Sequence, residues 1–106
     1  MTTQDETLRA LWAEWLAGWH RVEELRDWVP AFGTEAHRTW DRLYHAAVQA
    51  LVLLEGRIAA VDAEGYAGLA IKLRVAARDE IGAETDMAVL AAARRDADRL
   101  AGEALQ

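Results

Sequence analysis

The sequence predicts an all-α fold, an antiparallel bundle of about four helices dominated by a long helical hairpin. Three observations carry this. Apolar residues recur at helical spacing through most of the chain, from Leu8 to Ala101. Turn signals divide that pattern at three places: "PAFG" from Pro30, "DAEG" from Asp62, and Gly82. No run alternates apolar and polar residues as a half-buried strand would, and there is no repeat or low-complexity segment. With 106 residues, 53% of them hydrophobic, the chain is expected to form one domain over residues 1–106 around a single core.

Helix one is predicted over 5–29. Leu8, Leu11, Trp12, Trp15, Leu16, Trp19 and Val22 fall in one stripe at about 100° per residue, with Glu14, Arg21 and Glu24 outside it. Thr3 or Asp5 can cap its start, and Pro30 ends it by disfavouring helical geometry at Val29. Helix two is predicted over 35–61 behind a Thr34 cap. Its seam of Trp40, Tyr44, Ala47, Leu51, Leu54, Ile58 and Val61 alternates steps of four and three, as antiparallel packing on helix one requires. Ala46, Val48, Ala50, Val52 and Leu53 lie off that seam, so helix two needs more than one neighbour, a later helix or a second copy of the chain.

Helix three is predicted over 66–81, burying Tyr66, Leu69, Leu73, Ala76, Ala77 and Ile81, with Gly82 as its stop. Helix four, over 86–102, starts from a Thr85 cap and presents Met87, Leu90, Ala91, Ala97, Leu100 and Ala101 as a small apolar face. Asp86 suits its first turn, and Arg94, Arg95 and Arg99 lie nearer its end.

Charge and missing residue types narrow the function. Twelve basic and eighteen acidic residues give a net charge of -6, and no segment is a basic tail or patch, so neither nucleic acid nor an anionic membrane is an expected direct partner. There is no Cys, Ser or Asn, which removes disulfides, thiolate and serine nucleophiles, Cys-ligated zinc and N-glycosylation. The start "MTTQDETLRALW" lacks a basic region followed by an apolar one, and the longest apolar run, from Ala46, is broken by Gln49 and closed by Glu55. A cytoplasmic location is expected, with no membrane span.

The sharpest chemical constellation is His37, Asp41 and His45 at i, i+4 and i+8 on helix two. Neighbouring members could share a metal ion, but all three together span about 12 Å of helix rise. A complete site would need His20, Glu23 or Glu24 from helix one; the alternative is that Asp41 pairs with His37, Arg38 or His45 on a solvated face. The paired carboxylates Glu23 and Glu24, Asp79 and Glu80, and Asp96 and Asp98 sit among charged neighbours on predicted outer faces, where solvation is their role. No glycine pattern matches a phosphate-binding loop, and the "EGYAG" turn, which could offer amides to an anion, has Asp62 and Glu64 beside it. No catalytic residues and no cofactor are therefore expected.

The tryptophans of helix one mark a core or an interface rather than a base-stacking platform, because Glu14 and Glu23 stand where a platform would need basic residues. Trp12, Trp15, Trp19, Trp28, Val48 and Val52 are the expected interface residues if the chain self-associates. Trp28 projects from the opposite side of helix one, so it either covers the "PAFG" turn or makes contacts of its own.

Within "RIAAVDAEGYAGLAIKLRVA", Arg57 to Ala76, the residues Gly68, Leu69, Ala70, Lys72, Leu73 and Arg74 resemble the helix start of a loose group of small uncharacterised helical proteins from proteobacteria and their prophages. The turn departs from that group, with "VDAEGY" in place of Thr and Pro. The resemblance covers about a fifth of the chain and implies a host or prophage context without an activity. Read physically, Gly68 permits a close approach, Leu69 and Leu73 pack inward, and Lys72 and Arg74 face out.

The function expected is that of a non-enzymatic helical interaction module binding a protein partner or itself, most simply as a homodimer. The alternative is a phage-encoded inhibitor of a host defence complex, an anti-CRISPR-like protein, presenting Asp79, Glu80, Glu84, Asp86, Asp96 and Asp98 to a basic groove. A metal-dependent enzyme built on His37, Asp41 and His45 is the third.

Overall fold

The computed structural model of the chain describes residues 3–78 and 83–104. Four helices follow in order: α1 (Gln4–Asp27), α2 (Glu35–Ala60), α3 (Tyr66–Ala77) and α4 (Ala83–Ala104). Thr3 starts α1 with a capping box, its hydroxyl accepting from the Glu6 N–H while the Glu6 carboxylate accepts from the Thr3 N–H. Thr34 caps α2 by accepting from the His37 N–H, and Gly33 before it takes φ 85°, a left-handed turn conformation that suits glycine. Gly65 brings no side chain to the start of α3, and Asp5 of α1 supplies the missing acceptor, taking the N–H groups of Glu64 at 2.7 Å and Gly68 at 3.3 Å. Glu64 returns the service to the first turn of α1, accepting from the Gln4 N–H at 2.7 Å.

α1 and α2 form the expected antiparallel hairpin. Its rungs descend from Trp40 on Leu25, through Leu51 on Gly18, to Glu55 on Trp15. The α2 seam faces the core as its spacing requires: Leu51 and Ile58 are fully buried, with Tyr44, Ala47, Leu54 and Val61 packed against them. On α1, Leu8, Leu11, Trp15, Trp19 and Val22 are buried and Trp12 is partly so, whereas Leu16 is exposed at the edge of the stripe.

α3 and α4 complete the bundle over one half of the hairpin. α3 runs beside α1 from Asp5, which caps it, to Glu23, which Arg78 reaches at 2.6 Å. α4 packs on α3 and α2 and buries Val89, Ala92 and Ala93. The remainder of the hairpin projects, and the molecule measures 63 × 29 × 17 Å. From Glu23 to Ala50 no residue is buried.

Both α3 and α4 are rotated from the predicted faces. α3 buries Gly68, Ile71, Lys72 and Val75, with Leu69 and Ala76 partly covered, while Tyr66 and Leu73 are exposed. α4 turns Val89, Ala92, Ala93 and Asp96 inward, leaving Met87, Leu90, Ala91 and Ala101 exposed. One ion pair accounts for both rotations: Lys72 Nζ lies 2.6 Å from Asp96 Oδ2 with both side chains buried, so the two charges that were expected to face water meet inside. α3 ends at Ala77, short of the predicted 81; Ile81 and Gly82 lie outside the described residues, and α4 begins before Thr85, which is therefore not its cap.

Candidate functional site: an uncovered apolar face on the helical hairpin

Among the described residues, three polar side chains, Glu55, Lys72 and Asp96, are buried inside the bundle and link its elements. Asp96 accepts from the Ala63 N–H at 3.0 Å as well as pairing with Lys72, and Arg99 lies 3.6 Å from its other oxygen while donating to the Ala63 carbonyl. Burial pushes the Asp96 carboxyl up, but the Lys72 hydrogen bond, the Ala63 N–H and the Lys72 and Arg99 charges outweigh it and hold the carboxyl below the usual range. Glu55, also fully buried, accepts from Trp15 Nε1 at 3.2 Å. Glu55, Lys72 and Asp96 are buried where they join the α2–α3 turn and the helices, while the Arg99 side chain stays 39% exposed at the edge of the cluster.

The hairpin tip is the opposite. Phe32, His37, Trp40 and Tyr44 form a ladder of ring contacts with centroids 5.3, 5.5 and 5.1 Å apart, the last pair nearly parallel at 15°. Trp40 Nε1 donates to the Leu25 carbonyl at 2.7 Å, satisfying one of the acceptors that the end of α1 leaves open, and Arg26 Nε donates to the Tyr44 hydroxyl. This ladder runs along the hairpin tip beside a surface that α3 and α4 do not cover. There a groove of about 590 Å³ lies between α1 and α2, its apolar wall made by Leu25, Trp28, Pro30, Trp40 and Leu43 and its rim carrying Glu24 and Glu35. Trp28 is 80% exposed and Phe32 90% exposed. Below the groove, the exposed Leu43 continues along α2 into Ala46, Ala50 and Leu53.

The residues expected at an interface separate accordingly. Trp15 and Trp19 are buried in the chain's own core and cross at 77°, with the Arg78 guanidinium 3.8 Å from the centre of the Trp19 ring. As interface residues they are corrected, because contact with a partner would require opening the bundle. Trp12 and Val48 pack against the core, Val52 is partly covered, and only Trp28 of the six is freely exposed. Leu43 and Leu53 belong to the exposed surface and were not singled out for it; their 3–4 spacing with Ala46 and Ala50 was the available signal.

The histidines do not converge. The His37 ring lies against Phe32 and Trp40, while His45 Nδ1 lies 2.9 Å from the Asp41 carbonyl oxygen and 3.4 Å from its carboxylate. His20 is at 3.0 Å from Glu24, and Glu23 holds Arg78. Among the described residues no three His, Asp or Glu side chains come together as a metal site. Of the acidic surface, Asp96 is corrected to a buried residue, because Lys72 and the Ala63 N–H draw it inward, and Asp98 is exposed. Asp79 and Glu80 lie outside the described residues, as do the side chains of Glu84 and Asp86 on α4. At the "EGYAG" turn the amides of Glu64 and Gly68 are already taken by Asp5, an anion supplied from within the chain.

No family model, curated protein or solved structure matches the chain. Among the described residues no helix is long and apolar enough to cross a membrane.

Proposed function

We propose that this chain is a non-enzymatic, cytoplasmic protein-interaction module that associates with a second copy of itself through the outer face of the α1–α2 hairpin. One observation carries the reading: Trp28, Val29, Phe32, Leu43 and Leu53 stay exposed on a fold that has already closed its core around Trp15, Trp19, Leu51 and Ile58. Exposed apolar side chains beside a groove whose rim carries Glu24 and Glu35 are a usual mark of a contact site. The buried Glu55, Lys72 and Asp96 support the absence of catalysis, since each is engaged in holding helices together.

The test is light scattering of the purified chain at tens of micromolar. A mass of two chains, with a melting temperature that rises with protein concentration, is the expected result. A mass of one chain at all concentrations overturns the proposal.

A further inference from the structure

The side of α2 turned away from the core carries a second apolar stripe. Ala36, Thr39, Leu43, Ala46, Ala50 and Leu53 succeed one another in steps of three and four residues, and all six are exposed. Alternation of three and four over five intervals keeps a narrow stripe in line along a helix, the spacing by which one helix seats on another. Leu51 and Ile58 mark the core side of α2, so the stripe is additional to the seam that holds α1.

We infer that this stripe pairs with the same stripe of a second copy, antiparallel, about a two-fold axis between residues 44 and 45. The inference rests on the self-association proposed above and specifies its surface and register. Antiparallel pairing sets Leu43 opposite Ala46 of the second copy, Thr39 opposite Ala50, and Ala36 opposite Leu53. Large side chains then meet small ones at the first and last of these layers, which lets the two helices approach closely. Parallel pairing would instead stack Leu43 on Leu43 and Leu53 on Leu53 while leaving gaps at the alanines.

Charge selects the same direction. Glu35 stands at one end of the stripe and Arg57 follows its other end, where it lies 3.8 Å from Glu14 in a well-exposed pair. An antiparallel copy brings Arg57 toward Glu35 twice, whereas a parallel copy sets like charges together. The groove is the receiving pocket: Ala36 and Thr39 line it beside Trp28 and Leu43, so Leu53 of the second copy enters the apolar part and Arg57 of the second copy meets the rim carboxylates Glu24 and Glu35. Six stripe residues together with Trp28 cover on the order of 500 Å² per copy, about 1,000 Å² in all, which reaches the lower bound for a specific interface.

The chain has no cysteine, so single cysteines can read the register. Position 46 lies about 4.5 Å along the helix axis from its equivalent across the proposed two-fold, and position 53 about 25.5 Å. Ala46→Cys is expected to form a disulfide-linked dimer under mild oxidation, and Leu53→Cys is not. Glu35→Arg is expected to weaken association at least tenfold, and Glu35→Arg combined with Arg57→Glu to restore it. Each variant is exposed in the single chain, and an unchanged circular dichroism melt at low concentration shows that it still folds. A mass of two chains without the Ala46→Cys crosslink, or with an equal crosslink at Leu53→Cys, or without restoration by the charge swap, overturns this register and leaves self-association standing. A mass of one chain overturns both.

Discussion

The two ends of the hairpin treat charged and apolar side chains in opposite ways. Where α3 and α4 cover it, Lys72, Asp96 and Glu55 are drawn inside. Toward the tip, no residue from Glu23 to Ala50 is buried, and Trp28 and Phe32 stand in solvent. At the covered end a charge is tolerated because a partner meets it: Lys72 has Asp96, and Asp96 has the Ala63 N–H and Arg99 besides. At the tip the rings stack on one another instead of sinking into a core. Buried packing is thereby concentrated at one end and exposed apolar surface at the other, and substitutions should separate the two.

The sharpest separation is expected at Asp96. Asp96→Ala leaves Lys72 buried without its counter-charge, and urea unfolding should show a loss of about 3–5 kcal/mol. The same residue sets an acid limit. Its folded-state pKa lies below the ordinary 3.8, so its contribution is complete above that value and is lost as pH falls through the folded pKa. Asp96→Asn should flatten the acid side of the stability curve, measured by urea midpoints between pH 2 and 5, conditions chosen around the ordinary aspartate pKa.

Gly68→Ala should have the next largest effect. A Cβ there would press on Asp5 Oδ1 and lie 3.0 Å from Leu8 Cδ1, at the point where α1 caps α3. A loss of about 1–3 kcal/mol is expected, and a smaller one in an Asp5→Ala background, because the obstruction is then gone. At the tip, Thr34→Ala removes the acceptor for the His37 N–H and should cost about 1 kcal/mol by thermal melting. Smallest is Trp28→Ala, expected within about 0.5 kcal/mol of the parent in the single chain. Its effect should appear as weaker association in a dilution series by light scattering; a large loss of stability instead would erase the contrast between the two ends.

The hairpin was legible in the sequence because its signals are local and agree. The Trp40-to-Val61 seam, the Thr34 cap and Pro30 each act within a few residues of where they stand. α3 and α4 were legible as helices but not in rotation. α3 reads "YAGLAIKLRVAA", apolar on nearly every side, so only Lys72 and Arg74 suggested an outer face, and Lys72 points the other way because of a partner 24 residues on. No local pattern announces a buried pair of that separation. The exposed face was half legible: Trp28 stood out as lying off the α1 stripe, whereas Leu43 and Leu53 were hidden in a helix whose first seam already explained its apolar content.

The exchange of acceptors between Asp5 and Glu64 ties together segments about 60 residues apart in sequence. Fraying of the first turn of α1 breaks its bonds to the turn that begins α3, so the opening of the two is coupled. Amide protons at Gln4, Glu64 and Gly68 should therefore exchange with solvent at a common opening free energy, and Asp5→Ala should lower the protection of all three together.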